Sequence, residues 1–231
     1  MRGIAFIGGE GPCPELCRSL LVPPVPRGPC FFPCPAGPPA PVLVVAADSG
    51  LAAAEAAGLR PDWVVGDMDS LEDLSRLDAY PPERVLRYGV EKDYTDTELA
   101  LRLLWEQGCN EVWLIGGGGG RLDHLLAIRS LFERDPCPSR WITAGEDVCR
   151  VVSPGQMRWS GPPGSLVSVF PLGAGPWEAE SAGLRWPLAG LSWDRGFVGL
   201  SNVAEDGSFG LRARRGCFLV ILPLPFPVQE L

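Results

Sequence analysis

The sequence predicts a mixed α/β fold: an N-terminal, mostly parallel sheet flanked by helices, followed by a smaller all-β sandwich or barrel. Up to about residue 135, short β-rich runs alternate with helical patterns, which is typical of parallel strands joined by crossover helices. After Pro136-Cys137-Pro138, short apolar runs are separated by Gly, Pro, Ser and Asn about every 8–12 residues, as in small all-β domains. We therefore expect an α/β domain over 1–137 and a β-rich domain over 138–231.

Each element follows from the period of its apolar residues and from the residues that interrupt the pattern. The strands predicted in the first domain are Ile4–Gly8, Val42–Ala47, Trp63–Val65, Arg84–Leu86 and Glu111–Ile115. The predicted helices are Cys13–Leu21, Leu51–Ala57, Leu71–Leu77, Asp96–Gln107 and His124–Glu133. In the second domain, strands are predicted at Trp141–Thr143, Val148–Val152, Leu166–Phe170 and Phe218–Leu222.

A segment at about 22–41 contains nine prolines and is predicted to be a surface loop, because proline at that density excludes helix and central strand. Four cysteines within and before it form two C-x3-C pairs, a spacing that admits a zinc site. Free thiols are the alternative that the sequence leaves open. These cysteines are Cys13, Cys17, Cys30 and Cys34.

Composition excludes several functional classes. The formal net charge is −8 and the pI is about 4.8, without a basic stripe, so nucleic-acid binding is not expected. No apolar stretch approaches the roughly 20 residues that span a bilayer, and the first apolar run, Ile4–Ile7, is too short for a signal segment. We expect a cytoplasmic protein with no membrane partner.

Asp67 and Asp69 form the clearest candidate for a metal site. They lie two residues apart at the end of an apolar run, so that in an extended segment both side chains face one side. Gly66 allows close backbone approach. Converging carboxylates suit Mg²⁺, which proteins hold with one or two carboxylates plus substrate phosphates. The alternative is a loop of solvated acids that caps the next helix.

Two further acids follow the same logic. Asp48 leaves a buried strand directly before Ser49-Gly50, where it could contact a metal or phosphate or cap the next helix. Asp96 lies at a predicted helix start, where Thr95 and Glu98 fit a capping box. The capping box does not explain Lys92 just upstream.

Gly116–Gly120 follow a strand and precede a helix, a place where backbone N–H groups can bind an anion. The run is neither a Walker A motif nor a dinucleotide fingerprint. Arg121 is positioned to pair with phosphate, whereas Asp123 is a candidate substrate contact or a helix cap.

Taken in order, these motifs resemble the thiamine pyrophosphokinase family. The resemblance covers nearly the whole chain except the proline-rich loop, and it continues into the second half. The segments that carry it are Asp48-Ser49-Gly50, Pro61-Asp62, Gly66-Asp67-Met68-Asp69-Ser70, Lys92 to Glu98, Gly119 to His124, Gly183 to Leu188 and Gly199-Leu200-Ser201-Asn202.

The resemblance implies an ATP:thiamine diphosphotransferase that requires Mg²⁺ and forms a homodimer with its active sites at the subunit interface. It implies metal binding by Asp48, Asp67, Asp69 and Asp96, and charge neutralisation by Lys92 and Arg121. Asp69 or Asp96 would accept the hydroxyl proton. ATP contacts are expected from Asp48, Ser49, Gly50, Thr95, Gly119, Gly120 and Arg121, and thiamine contacts from Asp123, Ser201 and Asn202.

Two alternatives stay open. Pterin pyrophosphokinases are similar in the α/β half and transfer diphosphate to a hydroxymethylpterin, and a degenerate homologue would bind thiamine or nucleotide without catalysis. The chain also departs from the family pattern where Ser49-Gly50-Leu51-Ala52 replaces a Gly-Gly-Ala-Asn sequence. Trp186 is a candidate aromatic wall for the cationic thiazolium, although a core position is favoured for it.

Overall fold

The computed structural model describes residues 1–21, 41–89, 91–194 and 196–224. Most of the proline-rich segment lies outside the described residues, as do Cys30 and Cys34 of the zinc hypothesis. Cys13 and Cys17 are free thiols in the structure. The described residues form two compact units, one ending at Ala144 and the other beginning at Gly145.

Unit 1 contains a parallel sheet with the strand order β6-β5-β1-β2-β3-β4 among the described residues. Its order reverses between β1 and β5, and ligands of open α/β sheets bind at such a reversal, beyond the carboxyl ends of the strands. The strands are β1 Arg2–Phe6, β2 Val42–Ala47, β3 Trp63–Gly66, β4 Val85–Arg87, β5 Glu111–Ile115 and β6 Arg140–Ile142.

The helices of unit 1 connect these strands. They are α1 Pro14–Leu21, α2 Gly50–Ala56, α3 Asp96–Glu106 and α4 Leu122–Leu131. Leu99, Ala100 and Leu104 of α3 are buried, and this helix packs on β1, β2 and β3. Within the described part of the chain, no helix is both long and apolar enough to cross a membrane.

The α-helix predicted at Leu71–Leu77 is wrong. A 3₁₀ helix spans Leu74–Ala79 instead, and its N-cap Asp73 accepts a hydrogen bond from the Ser75 N–H at 3.0 Å. The helix ends because Pro81 forces the preceding Tyr80 into an extended conformation, with φ −108° and ψ 141°. A second 3₁₀ turn, Pro82–Arg84, follows directly.

The boundary between the units lies after Ala144 rather than after residue 137. Strand β6 pairs in parallel with β5, so Arg140–Ile142 belongs to the α/β sheet. Trp141 Nε1 also donates to the Gly116 carbonyl at 2.7 Å. Pro136 and Pro138 therefore lie in the loop between α4 and β6, within unit 1.

Unit 2 consists of two antiparallel sheets with the orders β11-β9-β13-β7 and β10-β12-β8. Side chains from both sheets, including Trp159, Val169, Phe209 and Phe218, share one buried core. The mixed α/β fold class is thus confirmed. The strands are β7 Glu146–Val152, β8 Gln156–Ser160, β9 Ser165–Leu172, β10 Glu178–Ala182, β11 Gly199–Ala204, β12 Ser208–Arg215 and β13 Cys217–Pro223.

Candidate active site

Three carboxylates converge at the carboxyl-end edge of the parallel sheet in unit 1. Asp48 follows β2, Asp67 follows β3, and Asp96 is the first residue of α3. One oxygen from each lies within 4.8 Å of the others. Strands β2 and β3 are neighbours, so their carboxyl ends bring Asp48 and Asp67 together although the chain separates them widely. The sequence motifs identify these acids, but only the sheet order makes them one cluster.

The backbone around Asp48 holds its carboxylate in a fixed place. The Met68 N–H donates to Asp48 Oδ1 at 3.0 Å, and the Asp48 N–H donates to the Val65 carbonyl at 3.1 Å. Gly66 has φ +139°, and a Cβ at this position would lie 1.9 Å from Asp48 Oδ1. A glycine is therefore required at residue 66, both by its backbone conformation and by the close carboxylate.

Backbone strain marks this region as well. Asp48 and Met68 adopt positive φ angles of 45° and 67°, and in the described residues Ser201 is the one other non-glycine residue to do so, at 56°. Such conformations are costly and cluster at functional sites. All three lie in segments singled out by their motifs. The role of Met68 was not identified from the sequence. An apolar residue between two acids gives no sign that its buried backbone N–H donates to a neighbouring carboxylate.

Lys92 lies among the acids. Its Nζ donates to Asp67 Oδ2 at 3.0 Å and to Asp96 Oδ1 at 2.6 Å, and its side chain is only 14% exposed. Lys92 is also the only lysine in the sequence, since the other 19 basic residues are arginines. That compositional signal was available from the sequence and singles out this position.

The cluster shifts the pKa of several of its members. Burial, together with repulsion from Asp96, raises the pKa of Asp48 to about 7, although the Met68 N–H opposes the shift. The hydrogen bond from Lys92 lowers the pKa of Asp67. Burial acts to lower the pKa of Lys92, but its hydrogen bonds to Asp96 and Asp67 outweigh that effect and raise it. Closely packed acids thus make the site favourable for added positive charge.

Asp69 lies beside the cluster and is not one of its three converging acids. Its backbone N–H donates to Asp67 Oδ1 at 3.3 Å, and its own side chain is exposed. Hydrogen bonding with Asp67, followed by repulsion from the same residue, raises the pKa of Asp69. Of the predicted metal ligands, the structure therefore brings Asp48, Asp67 and Asp96 together and leaves Asp69 at the rim.

The glycine run contributes fewer anion-binding groups than its length indicates. The N–H groups of Gly116, Gly117 and Gly118 donate to the carbonyls of Ile142, Gly8 and Glu10, respectively. The bonds of Gly117 and Gly118 tie the loop after β5 to the loop after β1, and the bond of Gly116 ties it to β6. Gly119 and Gly120 are exposed with positive φ angles of 65° and 67°, so they are the members of the run that face solvent.

Arg121 lies directly before α4 and directly after the exposed Gly119 and Gly120. It is exposed and pairs with Asp123, with Nε to Oδ1 at 3.1 Å and Nη2 to Oδ2 at 2.5 Å. This pairing raises the pKa of Arg121 and lowers the pKa of Asp123. The guanidinium is therefore accessible to an anionic ligand, while Asp123 holds it at the start of the helix.

The remaining nucleotide candidates have structural partners of their own. The Ser49 N–H donates to the Ser70 hydroxyl at 3.3 Å, which links the loops after β2 and β3. Gly50 begins α2 where a Cβ would lie 2.3 Å from the Phe6 carbonyl oxygen, so only glycine lets the helix approach β1 this closely. Thr95 and Glu98 form the predicted capping box of α3.

In unit 2, Asn202 and Ser201 differ sharply in their surroundings. Asn202 is buried, and its amide donates to the Trp186 carbonyl at 2.6 Å and accepts from the Trp186 N–H at 3.1 Å. Ser201 is exposed, and its backbone N–H donates to the Ser168 hydroxyl at 3.1 Å. Asn202 thus uses its side chain to hold the segment that carries Trp186.

Trp186 is not a core residue, so the interpretation favoured for it from the sequence was wrong. The residue is 55% exposed, and the guanidinium of Arg185 lies 5.5 Å from the centre of its ring. The core of unit 2 uses other aromatic residues, namely Trp159, Trp193, Phe209 and Phe218.

Part of the chain matches a known protein family. Residues 40–136 match the family described as "Thiamin pyrophosphokinase, catalytic domain". This range includes Asp48, Asp67, Lys92, Asp96 and Arg121. A search of curated protein sequences gives no significant match.

Several solved structures resemble the chain over almost its whole length. Thiamin pyrophosphokinase from Geobacillus thermodenitrificans is 26% identical, with a TM-score of 0.69 and 100% of each chain covered. Thiamine pyrophosphokinase from Bacillus subtilis is 22% identical with a TM-score of 0.71, and the match covers 97% of this chain and 100% of that one. Thiamin pyrophosphokinase from Candida albicans is 15% identical with a TM-score of 0.65, and the match covers 96% of this chain and 89% of that one. The latter two establish the fold alone. Residues 40–136 thus match the catalytic domain of the thiamin pyrophosphokinase family, and the whole chain is similar in sequence and fold to a solved thiamin pyrophosphokinase.

Proposed function

We propose that the chain is an ATP:thiamine diphosphotransferase. The observation that carries the proposal is the convergence of Asp48, Asp67 and Asp96 around Lys92 at the carboxyl-end edge of the parallel sheet. This cluster lies within the segment that matches the family's catalytic domain. Acids and a lysine in this place suit a reaction that requires charge neutralisation and positioning more than covalent chemistry.

The donor set fits Mg²⁺. Three carboxylates provide hard oxygen ligands, and Asp48 in particular is buried where an added cation would relieve repulsion from Asp96. Asp48, Asp67 and Asp96 would hold the ion, with Asp69 adjacent. When bound, Mg²⁺ would neutralise and orient the phosphates of ATP.

The other residues of unit 1 would act on the nucleotide directly. Lys92 would donate to the transferred diphosphate, and the exposed guanidinium of Arg121 would bind phosphate oxygens beside Gly119 and Gly120. The hydroxyl oxygen of thiamine would form a bond to the β-phosphorus as the bond from that phosphorus to the α,β-bridging oxygen breaks. AMP would leave, and Asp69 or Asp96 would accept the hydroxyl proton.

Unit 2 would supply the thiamine site. The exposed indole of Trp186 offers a π face to the cationic thiazolium ring, and the exposed Ser201 offers a hydrogen-bonding group. In this proposal Asn202 contributes by fixing Trp186, because its amide already bonds both polar groups of the Trp186 backbone.

We also propose a homodimer with active sites at the subunit interface. Phe197 and Leu200 of unit 2 are 64% and 65% exposed, close in sequence to Ser201. Large apolar side chains exposed together are typical of interaction surfaces. Light scattering coupled to size-exclusion chromatography measures the mass, and a monomer at enzymatically active concentrations would contradict this part of the proposal.

The decisive experiment for the function is AMP release from Mg·ATP by the purified protein, with and without thiamine, and with the product identified by mass. We expect thiamine-dependent AMP and thiamine diphosphate. ATP binding without AMP formation would contradict catalysis, whereas AMP formation with a hydroxymethylpterin in place of thiamine would redirect the assignment of the acceptor.

A further inference from the structure

The single lysine of this chain is placed between two acids of the candidate metal cluster. Its ammonium contacts both Asp67 and Asp96, whose side chains are 11% and 23% exposed. The charge on Lys92 therefore partly balances the cluster when no other cation is bound. Nineteen other positions of the sequence carry a basic residue, and each of them uses arginine.

We propose that Lys92 is a built-in counter-cation that weakens the binding of a free divalent ion to the cluster and so makes the cluster select the metal–nucleotide complex. The inference rests on the proposed function and adds a specificity determinant to it. In the nucleotide-free protein, the ammonium occupies the carboxylate oxygens of Asp67 and Asp96 that a metal would use. When a metal–nucleotide complex binds, the phosphates become its new acceptor.

Electrostatics explains why a free ion and a nucleotide-bound ion would differ. A divalent cation that binds alone has two unfavourable options. It can share the cluster with the ammonium at short range, where like charges repel strongly in a partly buried site, or it can displace the ammonium, which then has no anionic partner. A metal–nucleotide complex brings phosphate oxygens to the site together with the divalent cation, because proteins bind such cations through carboxylates and substrate phosphates. The ammonium then exchanges one set of anionic oxygens for another.

The type of residue matters to this exchange. A lysine ammonium is a compact charge with three donors on a flexible stem, so it can bridge two carboxylates and then turn towards a phosphate. An arginine would present a planar fork that pairs bidentately with one carboxylate and is held there more firmly. The sole use of lysine at residue 92 agrees with a role that requires movement of the charge.

The test measures Mn²⁺ binding to the full chain by electron paramagnetic resonance of the free ion, without nucleotide and then with α,β-methylene-ATP, which cannot undergo the transfer. We expect Lys92→Met to bind free Mn²⁺ about tenfold more tightly than wild type, because a competing charge is removed. The same variant should bind the Mn²⁺–nucleotide complex about tenfold more weakly, since a phosphate contact is lost. Opposite effects on the two affinities are the signature of a counter-cation.

Two other variants serve as controls. Arg18→Met removes one positive charge from an exposed ion pair on α1 and should change neither affinity. Lys92→Arg keeps the charge and should not tighten the binding of free Mn²⁺. If Lys92→Met does not fold, Lys92→Gln removes the charge while keeping a polar side chain, and the same opposite effects are expected.

The outcomes separate this inference from the proposed function. Unchanged or weaker binding of free Mn²⁺ by folded Lys92→Met, with the Mn²⁺–nucleotide complex still bound by wild type, would overturn the counter-cation and leave the metal site intact. If wild type and Lys92→Met both fail to bind Mn²⁺ with or without the nucleotide, the metal site itself is overturned. Tighter free Mn²⁺ together with a weaker complex in Lys92→Met supports the inference.

Discussion

The acidic cluster of unit 1 and the Ser201-Asn202 region of unit 2 satisfy their polar groups in opposite ways. In unit 1, Asp48, Asp67 and Asp96 face one another, and their mutual repulsion is only partly balanced by Lys92. In unit 2, the buried Asn202 side chain is hydrogen-bonded to the Trp186 backbone. The indole ring of Trp186 is exposed to solvent. The first region is arranged to receive charge, whereas the second is a rigid support for an exposed flat surface.

This contrast predicts that substitutions in the two regions separate activity from stability differently. In unit 1, removing a charge should abolish the chemistry with little cost to the fold. In unit 2, removing the supporting amide should cost both stability and substrate affinity.

Asp67→Asn should lower kcat by about a thousandfold or more, because a converging ligand is lost from the site that neutralises the phosphates. Thermal unfolding should show a fold close to wild type in stability. Asp69→Asn is the matched comparison at the rim of the cluster, and its loss of kcat should be smaller. Equal activity of Asp67→Asn and wild type would refute the metal assignment.

Gly66→Ala should lower the free energy of unfolding by about 3 kcal/mol or more, because φ is +139° and the new Cβ would overlap Asp48 Oδ1. Gly120→Ala is the matched control, since φ is also positive there but no atom lies within 4 Å of the new Cβ. We expect about 1 kcal/mol for the control. Chemical denaturation measures both, and similar losses would show that the carboxylate is not the constraint.

Asn202→Ala should lower the free energy of unfolding by about 2 kcal/mol, because the partly buried hydrogen bonds between the Asn202 amide and the Trp186 backbone are lost. It should also raise the KM for thiamine by about tenfold through displacement of the ring. Trp186→Ala should raise that KM with little change in stability, since the side chain is 55% exposed. A Trp186→Ala variant with unchanged KM would exclude the indole as a substrate contact.

Asp48→Asn should stabilise the metal-free protein relative to wild type, increasingly as the pH rises from about 4 to 7. The folded-state pKa of Asp48, about 7, lies above its ordinary value of 3.8. In that window the folded state retains a proton that the unfolded state releases, so the wild-type protein loses stability as the pH rises. The expected difference is about 1–2 kcal/mol after allowance for solvent screening.

Denaturant titrations of both proteins at several pH values, with a chelator present, measure this difference. A constant difference across the window would show that burial and the neighbouring acids do not raise the pKa of Asp48. Asp48→Asn is also expected to be inactive. Asp48 would therefore lower the stability of the protein while supporting activity, whereas Asn202 would support both.

Local rules account for most of unit 1. Strand β2 is a continuous apolar run, β5 is apolar after Glu111, and α3 has an apolar face and a capping box, so propensity and burial agree there. The error at Leu71–Leu77 arose where helical spacing competed with Asp73 and Pro81. In unit 2, β10 has the sequence Glu-Ala-Glu-Ser-Ala and was missed, because its pairing with β12 decides its conformation more than its composition does.

The sequence by itself determined the α/β class, the acids that follow its strands and the glycine run, since each depends on local spacing and residue type. Tertiary structure alone decided that Asp48, Asp67 and Asp96 converge while Asp69 remains at the rim. It likewise decided that three amides of the glycine run are already bonded and that Asn202 faces the Trp186 backbone. Those outcomes depend on which strands and loops are neighbours in space, and residue spacing along one chain carries no measure of that distance.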